Sequence, residues 1–396
     1  MKKLSPRFEH WLAHRQKSAS RVHATRILKK RNGKVGPLVV DAWDGVEEIK
    51  VRVIKKPISP EPRLCFDTNY RRTANFLGVW QRRVFNGAWT CKRRGAWISR
   101  PIDGSRPTLT SFYDFSIIEE VSTAASVVIA AEYERAKLIV GAPPPAVNLD
   151  RWTPSAFSKL YGMGFFEAVG LSRAEAARFT DRDGNFTMQI LSGDTGDQLP
   201  EAGKAFESLL AEALQPEQPA GNEELEALIF WINTAVSEAL TNVSHWAYED
   251  CARRGPRRWW VAATLSPLTN NLTVVVYDQG VTIPKSLTKK SWLEDLVTKV
   301  RAAWVEEDTG PVWSDSQWVA AALEYRRSRS RQEFRGKGLP QMVAILDHCP
   351  AGSLRIVSGA GSCYLEKGAK MIQEAPLRNP IMGTLLEWKL QLPVQS

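Results

Sequence analysis

Glu238, Asn242 and His245 stand at i, i+4 and i+7 in NEELEALIFWINTAVSEALTNVSHWAY, residues 222–248. In a helix that spacing puts a carboxylate, an amide and an imidazole on one side. The carboxylate can polarise a water or hold the water shell of a metal, and the amide oxygen is a hard ligand suited to magnesium. The same three residues also suit the solvated stripe of an ordinary amphipathic helix, so their meaning depends on what lies near them. Three further motifs follow in order. Asp278-Gln279-Gly280 closes the strand pattern NLTVVVYD, Arg335-Gly336-Lys337-Gly338-Leu339 precedes the helix pattern QMVAILDHC, and Gly383-Thr384 opens GTLLEWKLQLP.

Several elements must hold these groups. Leu225, Leu228, Ile229, Ile232, Val236, Ala239, Leu240 and Val243 recur at steps of three and four, so the first helix has an apolar back. Asn222 is a candidate N-cap, with glutamates in the first turn. RRWWVAATLS and NLTVVVYD, joined at Asn270-Asn271, read as an antiparallel hairpin. SWLEDLVTKVRAAW and SQWVAAALEYRRS read as helices, SLRIVSG as a strand, and Leu386, Trp388, Leu390 and Leu392 alternate as in a strand.

The 396 residues suffice for two domains. The formal net charge of +10 favours anionic partners such as nucleotide, nucleic acid or an acidic protein surface. Its excess crowds residues 1–34, which read as a basic helical arm that either grips phosphates or docks on its own protein. Five cysteines without a CxxC pair point away from a zinc site or disulfide framework and toward reduced thiols. No apolar run approaches the ~18 residues of a membrane helix, and WLAHRQ is too short and polar for a secretory core. A cytoplasmic protein without a membrane partner is the expectation.

Residues 35–192 are expected to form an N-terminal α/β domain, 193–221 a connector ending in QPEQPAGN, and 222–396 a second domain. Within the first, PLVVDAW and EEIKVRVIKK flank an Asp44-Gly45 turn. TANFLGVWQRRVF and GAWTCKRRGAWIS are read among strand and hairpin candidates, with Arg71, Arg72, Arg82, Arg83, Lys92, Arg93 and Arg94 as charged surface. LTSFYDFSII reads as a strand, VSTAASVVIAAEYERAKLI as a helix capped by Ser122 or Thr123, and RDGNFTMQILSGD as a hairpin.

Glu-x3-Asn on a helix, Asp-x-Gly at a strand end, a basic Gly-x-Gly before a helix and Gly-Thr entering the last strand, in that order over roughly 222–393, resemble the GHKL ATPase superfamily. That superfamily includes gyrase, Hsp90, MutL, sensor histidine kinases and anti-sigma serine kinases; EALTNVSHWAY looks closest to the last. The resemblance implies a Bergerat-type α/β sandwich with a mixed sheet, binding ATP with magnesium. It implies that Asp278 accepts the adenine amine, Gly280 admits the purine, and Thr384 stands beside the aspartate. Asn242 would hold magnesium, and Glu238 would be the catalytic base or orient the metal through water. Gly336, Gly338 and Leu339 would belong to a phosphate lid, with Arg335, Lys337 and His245 near phosphate charge. The sequence departs from the pattern at Thr282, where the family has a second glycine, and at Trp246, where related kinases carry His or Lys.

Residues 106–172 resemble, through a strand ending in Asp114-Phe115-Ser116, a small-residue helix and Gly164-Phe165-Phe166, the STAS-type fold of anti-sigma antagonists. Ser116, Ser122 and Thr123 lie where that family can be phosphorylated, and they serve equally as caps and turn residues. The overall expectation is an α/β (α+β) chain that is a slow ATPase or ATP-gated regulatory switch, acting on its own N-terminal half or on a protein partner. The alternatives are a serine/threonine kinase or partner-switching regulator of the anti-sigma type, and a nucleic-acid-binding regulator using the basic arm. A homodimer is open. A sensor histidine kinase is disfavoured: His10, His14 and His23 are followed by Trp, Arg and Ala, where that class usually has Glu or Asp, and none sits in a dimerising helical hairpin pattern.

Overall fold

A computed structural model describes residues 38–171, 186–194, 199–214, 223–248, 255–266, 268–287, 313–325 and 338–393. The basic arm, the helix expected at SWLEDLVTKVRAAW, the Asp183-Gly184 turn, Asn222, Cys251 and the 326–337 segment lie outside them. The chain is α+β. Its first part contains β1 (Val39–Trp43), β2 (Glu48–Val53), β3 (Arg63–Leu64), α1 (Tyr70–Cys91), β4 (Thr108–Leu109), β5 (Glu120–Val121), α2 (Thr123–Val140), β6 (Ala146–Val147), α3 (Pro154–Gly162) and α4 (Phe165–Ala168). There follow β7 (Phe186–Thr187), β8 (Leu191–Gly193), α5 (Leu199–Leu214), α6 (Glu223–Asn242) and a π-helical turn, Val243–Ala247. The last part holds β9 (Trp259–Ser266), β10 (Asn271–Asp278), α7 (Ile283–Leu287), α8 (Asp315–Tyr325), α9 (Gly338–Ala344), β11 (Gly352–Ser358), β12 (Gly361–Glu366), β13 (Ile372–Gln373) and β14 (Thr384–Gln391).

The large sheet runs β13-β12-β11-β14-β10-β9-β7, with β8 also on β9. Every described pair in it is antiparallel, so it is not the mixed sheet expected from sequence. The parallel pairs are β2 with β4 and β3 with β5. Hairpin β9–β10 forms about the Asn270-Asn271 turn, with Asn270 at φ 50° in the left-handed region that asparagine tolerates.

Both faces of this sheet are covered. Val274, Val276, Leu386, Trp388, Ile356 and Val261 pack against α5, α6, α8 and α9. The alternate residues Val275, Tyr277, Leu385, Val357, Trp260 and Ala262 join the core built on α1 and α2. A strand buried on both faces reads as a continuous apolar run, which is how WWVAATL and VVVY read. Polar contacts cross the same boundary: Trp260 Nε1 donates to Glu134 Oε2 at 2.6 Å, Thr123 and Thr264 hydroxyls pair at 2.7 Å, and Gln81 Nε2 donates to the Tyr277 hydroxyl at 2.6 Å.

Two local expectations are overturned. TANFLGVWQRRVF and the start of GAWTCKRRGAWIS form one helix, α1, because Leu77, Gln81, Val84, Ala88 and Cys91 make a buried 3–4 period. Within LTSFYDFSII only Leu109 is in a strand; Phe115–Ile117 is a 3-10 turn whose cap, Asp114, accepts the Ser116 N–H and, at 2.5 Å, the Ser116 hydroxyl. The residues that follow the Asp183-Gly184 dipeptide of RDGNFTMQILSGD form β7 and β8, and both pair with β9, whose open edge offers them unpaired backbone groups. Residues 186–193, expected in the N-terminal domain, are thereby built into the C-terminal sheet. Ser122 is the cap of α2, accepting from Ala125 N.

Glu387 on β14 is 2% exposed, and its Oε1 has no hydrogen-bond partner. Burial pushes its carboxyl up to about 7, against the opposing pull of Lys389, Arg355 and Lys159. A pKa raised from 4.5 in the unfolded chain means that stability conferred by the proton is present below about 4.5 and is lost as pH rises through about 7. Glu387→Gln stays neutral throughout. Urea unfolding at pH 5 and pH 8 should therefore show the variant gaining on the native protein by up to about 3 kcal/mol across that interval. Equal pH slopes for the two proteins would refute this.

Candidate functional site

Three strands bring three polar residues into one row. Asp278, the last residue of β10, is opposite Thr384, the first of β14, and Thr384 is opposite Ser358, the last of β11. Each lies two residues from a member of the α6-side core, namely Val276, Leu386 and Ile356, so all three face the α6 layer. They are 4%, 9% and 0% exposed, respectively. Asp278 Oδ1 accepts from Gly280 N at 2.7 Å. Thr384 Oγ1 and Ser358 Oγ pair at 2.9 Å, and Ser358 Oγ also accepts from Ile283 N at 2.8 Å, the first residue of α7. No sequence pattern singles out Ser358. It belongs to no recognised motif, and only its register against Thr384 marks it.

Two glycines allow the row to close. Gly383 has φ +73°, and a Cβ there would lie 1.9 Å from Asp278 O, so the Gly-Thr pair needs its glycine for backbone approach. At Gly280 a Cβ would lie 2.2 Å from Ala247 O. This glycine therefore admits the end of the π-helical turn that follows α6, whereas the sequence reading reserved its space for a purine. Val281 N donates to Ala247 O at 2.7 Å, and Gln279 N donates to the Tyr248 hydroxyl at 3.2 Å. The helix bearing Glu238 and Asn242 is thus bonded at its C-terminal end to the strand end bearing Asp278. Thr282 is buried, and its φ lies outside the left-handed region, so the turn forms without a second glycine.

Asn242 ends α6, half-buried, and its Nδ2 is buried without a hydrogen-bond partner. An amide left this way costs about 1–3 kcal/mol unless an acceptor reaches it. A phosphate oxygen would serve, and the Asn242 Oδ1 is of the hard-ligand type that magnesium takes. Glu238 lies one turn earlier and is half-buried. His245 is exposed, with its ring edge-on to Trp246 at 6.3 Å, so it does not join the buried row. Arg335, Gly336 and Lys337 lie outside the described residues; Gly338 and Leu339 begin α9, which packs along α6. Among the described residues no group of three or more His, Cys, Asp or Glu side chains is arranged to hold a metal, so a cation beside Asn242 would need ligand oxygens from elsewhere. No described helix is long and apolar enough to cross a membrane.

Comparison of the chain with models of known protein families, with characterised proteins and with solved structures found no match.

Gly383→Ala combines a left-handed backbone with a collision against Asp278 O. It should lower the unfolding free energy by at least about 2 kcal/mol in a denaturant titration. A midpoint equal to that of the native protein would show that the Asp278–Thr384 rim is less tightly closed than described.

Proposed function

We propose that the C-terminal half binds ATP with magnesium in the manner of GHKL ATPases, as a Bergerat-type sandwich, and that the chain works as a slow ATPase or ATP-gated switch. The carrying observation is the buried Asp278, in register with Thr384 and braced by Gly280, next to a helix whose Asn242 Nδ2 is buried without a hydrogen-bond partner. In this reading Asp278 accepts the exocyclic amine of adenine, and the Thr384–Ser358 hydroxyl pair borders the base. Asn242 offers its amide to metal and phosphate. Glu238 sits one turn away, within the same helix, as the group that takes or directs a proton of the attacking water. Magnesium, when bound, supplies neutralisation of phosphate charge. Residues 335–339 are assigned to the phosphates by sequence alone.

The phosphotransfer alternative places an acceptor at Ser116, Ser122 or Thr123. Each hydroxyl is already engaged: Ser116 with Asp114, Ser122 as a helix cap, and Thr123, which is 4% exposed, with Thr264. A STAS-type N-terminal half therefore fits less well than a structural layer laid against the nucleotide domain. Binding of nucleic acid by the basic arm remains separable, through salt-dependent affinity lost on deleting residues 1–34.

Calorimetry with ATP and magnesium should give binding to the native chain and at least about 100-fold weaker binding to Asp278→Asn. Glu238→Ala should keep the affinity within a few-fold and lose most turnover, about 100-fold or more if the carboxylate acts as a base. With labelled ATP, label released as phosphate supports hydrolysis, and label retained on serine or threonine supports the kinase. Undiminished turnover in Glu238→Ala would remove that residue from the mechanism.

A further inference from the structure

The turn Asp278–Gly280 is enclosed from behind by a ring of polar contacts that begins and ends on α2. Gln279 is 4% exposed, and its Nε2 donates to Glu132 Oε2 at 3.1 Å. Glu132 is fully buried and accepts the Arg135 guanidinium on both oxygens at 2.6 Å. On the other side, Gln279 N donates to the Tyr248 hydroxyl, which in turn donates to Arg258 O at 2.6 Å. The Arg258 guanidinium returns to Glu134 Oε1, on α2, at 3.0 Å and to Ser192 Oγ at 2.8 Å. Tyr248 directly follows the π-helical turn after α6. The ring therefore joins the helix of Asn242, the turn of Asp278 and the central helix of the N-terminal half.

Building on the nucleotide reading above, we infer that Gln279 and Glu132 are positioning residues that couple nucleotide binding at Asp278 to helix α2. Three observations carry this. First, 15 of the 18 residues of α2 are buried, so the helix cannot yield at one point without disturbing the layer around it. Second, burying a Glu–Arg pair carries a desolvation penalty that an apolar pair avoids, so the pair is weak evidence of added stability. The polar link serves specificity of arrangement more than stability. Third, Gln279 Oε1 is buried without a partner, so the network is satisfied on one side only and has a second acceptor to engage when the turn shifts. Burial also pushes the Glu132 carboxyl up to about 7, while Arg135 and Gln279 pull it down, so loss of the Gln279 contact changes its charge balance. Coupling of this kind is reciprocal: what ATP does to α2, α2 does to ATP affinity.

The test is amide hydrogen exchange over residues 123–140 of the full chain, with and without saturating ATP and magnesium, after calorimetry has read ATP binding. The native chain should exchange about threefold or more slowly there when ATP is bound. Gln279→Met and Gln279→Asn remove or shorten the amide that reaches Glu132; both should bind ATP while leaving exchange at 123–140 unchanged. No heat with the native chain would remove the nucleotide reading itself. Heat without any change in exchange would remove only the coupling. ATP-dependent slowing that persists in both variants would also overturn it. So would loss of the folded circular dichroism signal in both, since the contact would then be a packing requirement and no more.

Discussion

The antiparallel sheet β13 to β7 is buried on both faces, and most of the structure follows from that constraint. Antiparallel sheets commonly keep one face wet. Here α5, α6, α8 and α9 take one face while α1 and α2 take the other. The central strands are therefore mostly apolar, and polar atoms that enter bring partners with them, Glu387 Oε1 on β14 excepted. Trp260 brings Glu134, Thr264 brings Thr123, and Tyr277 takes Gln81 and Met382 O. The halves are joined by a shared core and by matched hydrogen bonds across it.

The same constraint explains where functional groups collect. A row of polar side chains is affordable only at the rim, where strands end and turns supply backbone donors. Asp278, Thr384 and Ser358 occupy that rim, and the N–H groups of Gly280 and Ile283 meet them. Glycine at 280 and 383 lets two backbones approach closer than any Cβ permits. Farther in, Glu132 and Glu387 are carboxyls that burial pushes up to about 7, so charge in this interface is sensitive near neutral pH.

Legibility from sequence varied with the kind of signal. The helix over 223–242, the β9–β10 hairpin, the helix of 123–140 and the closing strand were readable because a period or a turn dipeptide marked each. Helix α1 was missed because its tryptophans and arginines mimic a charged strand pattern and its 3–4 period emerges only across all 22 residues. The segments around Phe186 and Leu191 both follow the Asp183-Gly184 dipeptide, and their partner strand lies about 70 to 80 residues away, where no local pattern points to it. Asp278, Gly280, Thr384 and Asn242 were visible through motif order. Ser358, Gln279 and Glu132 were not, since hydrogen bonds between distant segments leave no local pattern.

What the sequence determined by itself was periodicity: which residues point inward along each helix and strand, and hence an α+β chain with a polar motif at several element ends. The tertiary structure decided register and adjacency. A shift of one residue in β14 would turn Thr384 from the α6 side to the α2 side; the alternation of Leu386, Trp388, Leu390 and Leu392 opposes the slip but does not say which residue of another strand Thr384 meets. Only the pairing of whole strands, with Gly383 against Asp278 O and Ala247 against Gly280, fixes which side chains meet.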